Sequence, residues 1–172
     1  MENSTRWDSI FGNSNIKVSE VRKVNKMEEY DYLENLNSEE LVKLISDMLD
    51  FEETTKALMV LEEKDSQKAL ELGKDIIQNN KGDDYLQATV WNVFFFENQK
   101  DMVDVINRRR EEIGKTLLDE IIIDLTNHKV AICKDFFKKL RKTYMSIDNK
   151  INMRCKYEEF LEYYENLGSI GG

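Results

Sequence analysis

In "NSEELVKLISDMLDF" the apolar residues Leu41, Leu44, Ile45, Met48 and Leu49 recur at intervals of three and four, which places them on one face of a 3.6-residue period. No strand-like alternation competes. Asn37 or Ser38 supplies an N-cap, a side-chain oxygen that accepts from the free N–H groups of the first turn. The same spacing predicts a helix in "EETTKALMVLEEK", burying Ala57, Leu58, Val60 and Leu61, and another in "SQKALELGKDIIQ", burying Ala69, Leu70, Leu72, Ile76 and Ile77. "NNKG" stops it, with Gly82 free to take the left-handed conformation of a helix end. Asp83 and Asp84 then set carboxylates beside the positive N-terminal pole of "DYLQATVWNVFFFE".

Four more segments repeat the pattern: "KDMVDVINRRR", "EEIGKTLLDEIIIDLT", "KVAICKDFFKKLRKTY" and "INMRCKYEEFLEYYENLG". The β-branched run Ile121, Ile122 and Ile123 suits a strand, but Leu117, Leu118 and Leu125 extend the helical stripe on both sides, and length decides for helix. Proline is absent and only seven glycines occur, so little interrupts these segments. The predicted class is all-α, about eight helices packed as antiparallel pairs. A chain of 172 residues buries roughly 70% of its unfolded surface, enough for one core, so a single domain 1–172 is expected. Within it, 1–36 forms a less regular arm, 37–168 the helical body and 169–172 a flexible tail. In the arm, Trp7, Ile10, Phe11, Ile16 and Val18 can dock, and "IKVSEVRKV" alternates well enough for a two-stranded element.

Starts at Glu53, Asp83 and Glu112 divide the middle of the chain into blocks of about thirty residues, each reading helix, turn, helix. The run "DSQKALELGKDII", a polar start leading through Ala-Leu to paired isoleucines, resembles HEAT-like repeats over about 53–140. That resemblance implies a short α-α solenoid in which each pair is buried against its neighbours.

Charge changes the picture more than composition does. The net charge is −9, yet residues 28–65 alone hold thirteen acids against Lys43, Lys56 and Lys64, a local charge of −10. Residues 121–156 reverse the sign with nine bases against three acids. A chain this acidic is a poor general nucleic-acid binder, because Lys and Arg contacts to phosphate supply most of that affinity; the basic 129–156 segment keeps that reading open. No apolar run reaches the ~20 residues that span a bilayer, and "MENSTRWDSIFG" lacks the regions of a signal peptide, which predicts a cytoplasmic protein that does not enter a membrane. Cys133 and Cys155 lack CxxC spacing and read as reduced thiols.

Catalytic chemistry has little to work with. His128 is the one histidine and sits at a helix boundary, where a capping or solvated role accounts for it better than a general base. No HExxH, no ligand-spaced Cys/His cluster and no glycine-rich phosphate cradle occurs, so no enzyme activity, metal or cofactor is expected. "RRR" at 108–110 reads either as a helix end complementing its own dipole or as an anion site. Most of "ATVWNVFFFENQ" belongs to a core, but an exposed Trp91 beside carboxylates would be a binding anchor.

Richness in Asn, Lys and Ile, together with the Glu/Asp-dense first half, resembles the immunity proteins of bacterial polymorphic toxin systems, including those of contact-dependent growth inhibition. The resemblance lies in overall character and transfers no residue. It implies a protein that binds a cognate toxin, commonly a nuclease, and covers its basic active-site surface. An acidic partner suits such a surface and speeds association with it. The contact candidates are Asp47, Asp50 and Glu53 around the first helix junction, then Asp84, Tyr85 and Trp91. Glu28, Glu29, Tyr30, Asp31 and Tyr32 form either a solvated linker or an arm that closes on the partner. The competing readings are a helical-repeat adaptor for another protein and a nucleic-acid binder using 129–156.

Overall fold

The computed structural model of the chain describes residues 30–48 and 50–169. After a 3-10 turn at Asp31–Asn35 come eight helices: α1 (Ser38–Asp47), α2 (Phe51–Lys64), α3 (Ser66–Gln78), α4 (Asp84–Phe94), α5 (Gln99–Arg108), α6 (Lys115–His128), α7 (Lys134–Ser146) and α8 (Tyr157–Ser169). No strand occurs among the described residues, so the all-α class follows as the apolar spacing predicts. The alternating segment of the N-terminal arm lies outside them. Contacts cluster into two compact units, Met1–Ala69 and Leu70–Gly172, with the boundary inside α3.

In the first unit α1 packs along α2, and Leu41, Ile45, Ala57, Leu58 and Leu61 are buried between them. Asn37 is the cap: its side chain accepts from the N–H groups of Glu39 and Glu40 at 3.0 Å each, and Glu40 Oε2 accepts from the Asn37 N–H at 2.8 Å. This reciprocal box satisfies otherwise unpaired donors. The helix expected to run through Phe51 instead stops at Met48, which is left-handed at φ 46°. Asp50 is the reason for the restart, since its carboxylate accepts from the Glu53 N–H at 2.8 Å and caps α2. Val60, expected in the core, is half-buried.

In the second unit α4 and α6 make the most extensive pairing, with α8 and α7 also against α6. Leu86, Val90, Trp91, Val93, Phe94 and Phe95 are all buried, as a central helix packed on several sides requires. Gly73 permits part of this: a Cβ there would lie 2.6 Å from the Phe94 ring. The expected core residues Leu70 and Leu72 are only half-buried. The end of α3 also differs from expectation. Asn80, at φ 52°, is the left-handed residue, with Lys81 N–H donating to Ile76 O at 2.9 Å and Asn80 N–H to Ile77 O at 3.4 Å. That pairing is a Schellman ending. Gly82 is left-handed too, at φ 67°, but lies beyond that ending.

Three helices begin later than their apolar spacing suggests, and side chains hold the delayed segments. Before α6, the carbonyls of Glu111 and Glu112 turn onto the Arg109 guanidinium. Ahead of α7, the Tyr164 hydroxyl donates to Leu125 O at 3.1 Å and Val130 O at 2.6 Å. Ahead of α8, Asp119 accepts from the N–H groups of Arg154 and Cys155 at 2.8–3.0 Å.

Candidate partner-binding surface

The acidic lead-in is not a loose linker over its described part. Its 3-10 turn buries Leu33, and the Lys64 ammonium at the end of α2 donates to the carbonyls of Glu34 and Leu36 at 2.6 and 2.7 Å. Lys56 sits 5.8 Å over the Tyr30 ring, and the Tyr32 hydroxyl donates to Glu53. That bond, with burial second, pushes the Tyr32 hydroxyl up to about 12. Tyr32 is nevertheless 43% exposed and Asp31 is exposed, so the turn is pinned on one side and open on the other. Glu28 and Glu29 lie outside the described residues.

Beside this turn a shallow depression of about 300 Å³ is lined by Glu40, Lys43, Leu44, Asp47 and Glu53. Asp47 and Glu53, separated in sequence by a helix break, therefore meet at one place, and Tyr32 joins them through Glu53. Asp50 is exposed as well, but its carboxylate is committed to capping α2.

The other three candidates, on α4, do not act together. Tyr85 is 74% exposed. Asp84 caps the neighbouring α6, accepting from the N–H groups of Thr116 at 2.5 Å and Leu117 at 3.1 Å. Trp91 corrects the anchor reading: it is fully enclosed, stacked on Phe95 at 4.8 Å, with its indole N–H donating to Asp124 at 2.8 Å. Aromatic periodicity and burial on both faces of α4 outweigh the polar neighbours that suggested a surface.

The basic segment is thinned by internal use. Lys139 donates to the carbonyls of Ile106, Asn107 and Arg109 at 2.6–3.3 Å, and burial, then the nearby Arg109, pulls its ammonium down. Arg154 pairs with Asp119 and Glu120. Lys134, Lys138 and Lys142 remain exposed along α7. "RRR" divides likewise: Arg109 is buried, donating to Ile77 O at 3.0 Å, Gln87 Oε1 at 2.6 Å, Asn80 Oδ1 at 2.6 Å and Glu112 O at 2.6 Å. It complements helix ends rather than an external anion. Nothing in the sequence separates Arg109 from its two neighbours, and Asp119 reads there as an ordinary polar helix position.

His128 ends α6, exposed, with its ring edge-on to Phe96 at 4.9 Å. Both thiols are free, Cys133 exposed, and burial, then Asp119, pushes Cys155 up to about 12. Among the described residues, no group of three or more His, Cys, Asp and Glu side chains is arranged to hold a metal ion, and no helix is long and apolar enough to cross a membrane. No family model matches the chain, and no curated protein or solved structure is significantly similar to it.

Proposed function

We propose that this protein is an immunity-type inhibitor, without catalysis of its own, that binds a cognate toxin through the acidic surface of its first unit in the cytoplasm of the producing cell. The observation that carries the reading is the convergence of Asp47, Glu53 and the exposed Tyr32 at one depression within a segment of charge −10. Pinning by Lys64 and Lys56 supports it, because a surface ordered before binding loses less entropy on association than a free arm. A nuclease toxin has a basic surface where it holds phosphate, and an acidic concavity with an aromatic hydroxyl at its edge fits such a surface in sign and shape.

Co-expression with the product of the adjacent gene tests it: protection of the host and co-purification are expected, with an association rate that falls as salt rises. Asp47→Lys is the informative variant, since Asp47 caps no helix; it should slow association roughly tenfold while leaving helicity intact. Neither protection nor a complex with any neighbouring product would end the reading. Exposed lysines on α7 favour nucleic acid as the second reading, and retention of labelled RNA or DNA by the purified chain decides it.

A further inference from the structure

Tyr144 stacks on Tyr157 at 3.5 Å and Phe137 lies 5.9 Å from Tyr164, so α7 and α8 run antiparallel side by side. The start of α7 therefore lies beside the end of α8, and between them opens a groove of about 460 Å³. Ile132, Phe137 and the half-exposed Leu167 form its apolar wall. Tyr164 adds its ring alone, because its hydroxyl is committed to the carbonyls of Leu125 and Val130. A volume within the range of small-molecule sites, an apolar lining and a position between two helices are the marks of a ligand pocket.

The charges around the groove are unevenly used. Three bases and one acid line it, Lys134, Lys138, Arg141 and Glu165, a local charge of +2 in a chain of net charge −9. Arg141 and Glu165 pair at 3.2 Å and cancel. Lys138 reaches Asp135 at 3.6 Å, but the two side chains are 63% and 92% exposed, and such a surface pair holds its lysine weakly. Lys134 is exposed and forms no ion pair among the described residues. Lys134 and Lys138, four positions apart, share one face of α7, so the free positive charge sits at the end of the groove that Ile132 and Leu167 wall.

We propose that this groove binds a free monocarboxylate with an apolar body, of the medium-chain fatty acid class, its carboxylate on Lys134 and Lys138 and its chain along Ile132, Phe137 and Leu167. A polyanion would meet the −9 charge of the whole chain, whereas a single carboxylate meets little of that repulsion. A neutral or cationic ligand would leave the lysines unanswered. The groove is also too small for a partner helix, since one turn, ~10 Å wide and ~5.4 Å high, would already fill it. A ligand of about a dozen non-hydrogen atoms, held with the efficiency usual for small molecules, binds with a Kd of roughly 1–3 mM.

Titration of the full chain, isotope-labelled at its Ile and Leu methyl groups, with sodium decanoate from roughly 0.1 to roughly 10 mM tests it by NMR, a range that brackets this constant. Saturable shifts centred on Ile132 and Leu167 are expected. Decylammonium should act on those methyls roughly tenfold more weakly, and acetate, which has the head group without the chain, should leave them in place. Lys134→Glu sets an acid in the first turn of α7, where the helix dipole favours one, so it keeps the fold and should weaken decanoate roughly fivefold. Helix content, read by circular dichroism, controls for folding. Shifts that do not saturate or that scatter over the chain, equal affinity for the two head groups, an equal response to acetate, or a folded Lys134→Glu chain that binds decanoate like the parent would each overturn the proposal. None of these outcomes bears on toxin binding by the first unit.

Discussion

Arg109 is a charged side chain held almost wholly by neutral acceptors. Its guanidinium closes the end of α3 and the approach to α6, and Gln87 couples it to the Asn80 turn through bonds of 2.6 Å to Arg109 and 3.1 Å to Asn80. Burial lowers its affinity for the proton, but an arginine keeps its charge in such a site. Arg109→Met removes the donor and strands several buried acceptors, so urea unfolding should show a loss of about 3 kcal/mol; a loss below about 0.5 kcal/mol would mean that the network closes without it. Asp124 poses the opposite problem, a buried carboxylate whose affinity for the proton is raised by burial, the Trp91 indole N–H opposing. A carboxyl group raised in this way holds its proton more tightly in the folded state than in the unfolded one. Its cost is absent below the unfolded value of about 4 and grows as pH rises through the folded value. Asp124→Asn keeps an acceptor for Trp91, and its thermal midpoint relative to the parent should therefore improve as pH rises above the unfolded value of about 4 and level off once the folded carboxyl has ionised. An unchanging difference across that range would show that Asp124 ionises freely.

Helix ends carry much of the specificity at the scale of elements. The cap of α6 comes from another helix: Asp84 of α4 takes the place of a local N-cap side chain, and the local position is Gly114, where an added Cβ would collide with the Asp84 carboxylate. Asp84→Ala should cost about 1–2 kcal/mol, and Gly114→Ala a similar amount by pushing that carboxylate away; near-additive losses in the double variant would argue against the coupling. In the first unit the Asn37–Glu40 box is local and exposed, so Asn37→Ala should cost about 1 kcal/mol and melt α1 before α2, as read by amide exchange.

For the molecule as a whole the dominant field is self-repulsion. With a net charge of −9, and −10 within residues 28–65, exposed carboxylates crowd the first unit, and its few lysines bind backbone or rings as much as acids. Salt screens that repulsion over a Debye length of ~10 Å at 0.1 M. Raising NaCl from about 20 to about 300 mM at low protein concentration should lift the thermal midpoint by roughly 2–5 °C. A falling midpoint would mean that attractive pairs such as Arg141–Glu165 outweigh the repulsion.

Over the described residues, helix number and the identity of most core residues were legible along the chain, because a 3.6-residue period needs only local order and proline is absent to break it. Asn37 as a cap was equally visible, since capping is a contact between near neighbours. The delayed starts of α6, α7 and α8 were not, for they depend on Glu112 meeting Arg109, Tyr164 meeting Val130, and Asp119 meeting Cys155. The acidic block was plain from composition, but that Tyr32, Asp47 and Glu53 share a place while Trp91 is enclosed depended on how helices pack. Periodicity and charge are properties of the chain and survive any arrangement of it. Which carboxylate caps, which arginine is buried and which aromatic faces water depend on distances between residues remote in sequence, and those distances exist only in the folded chain.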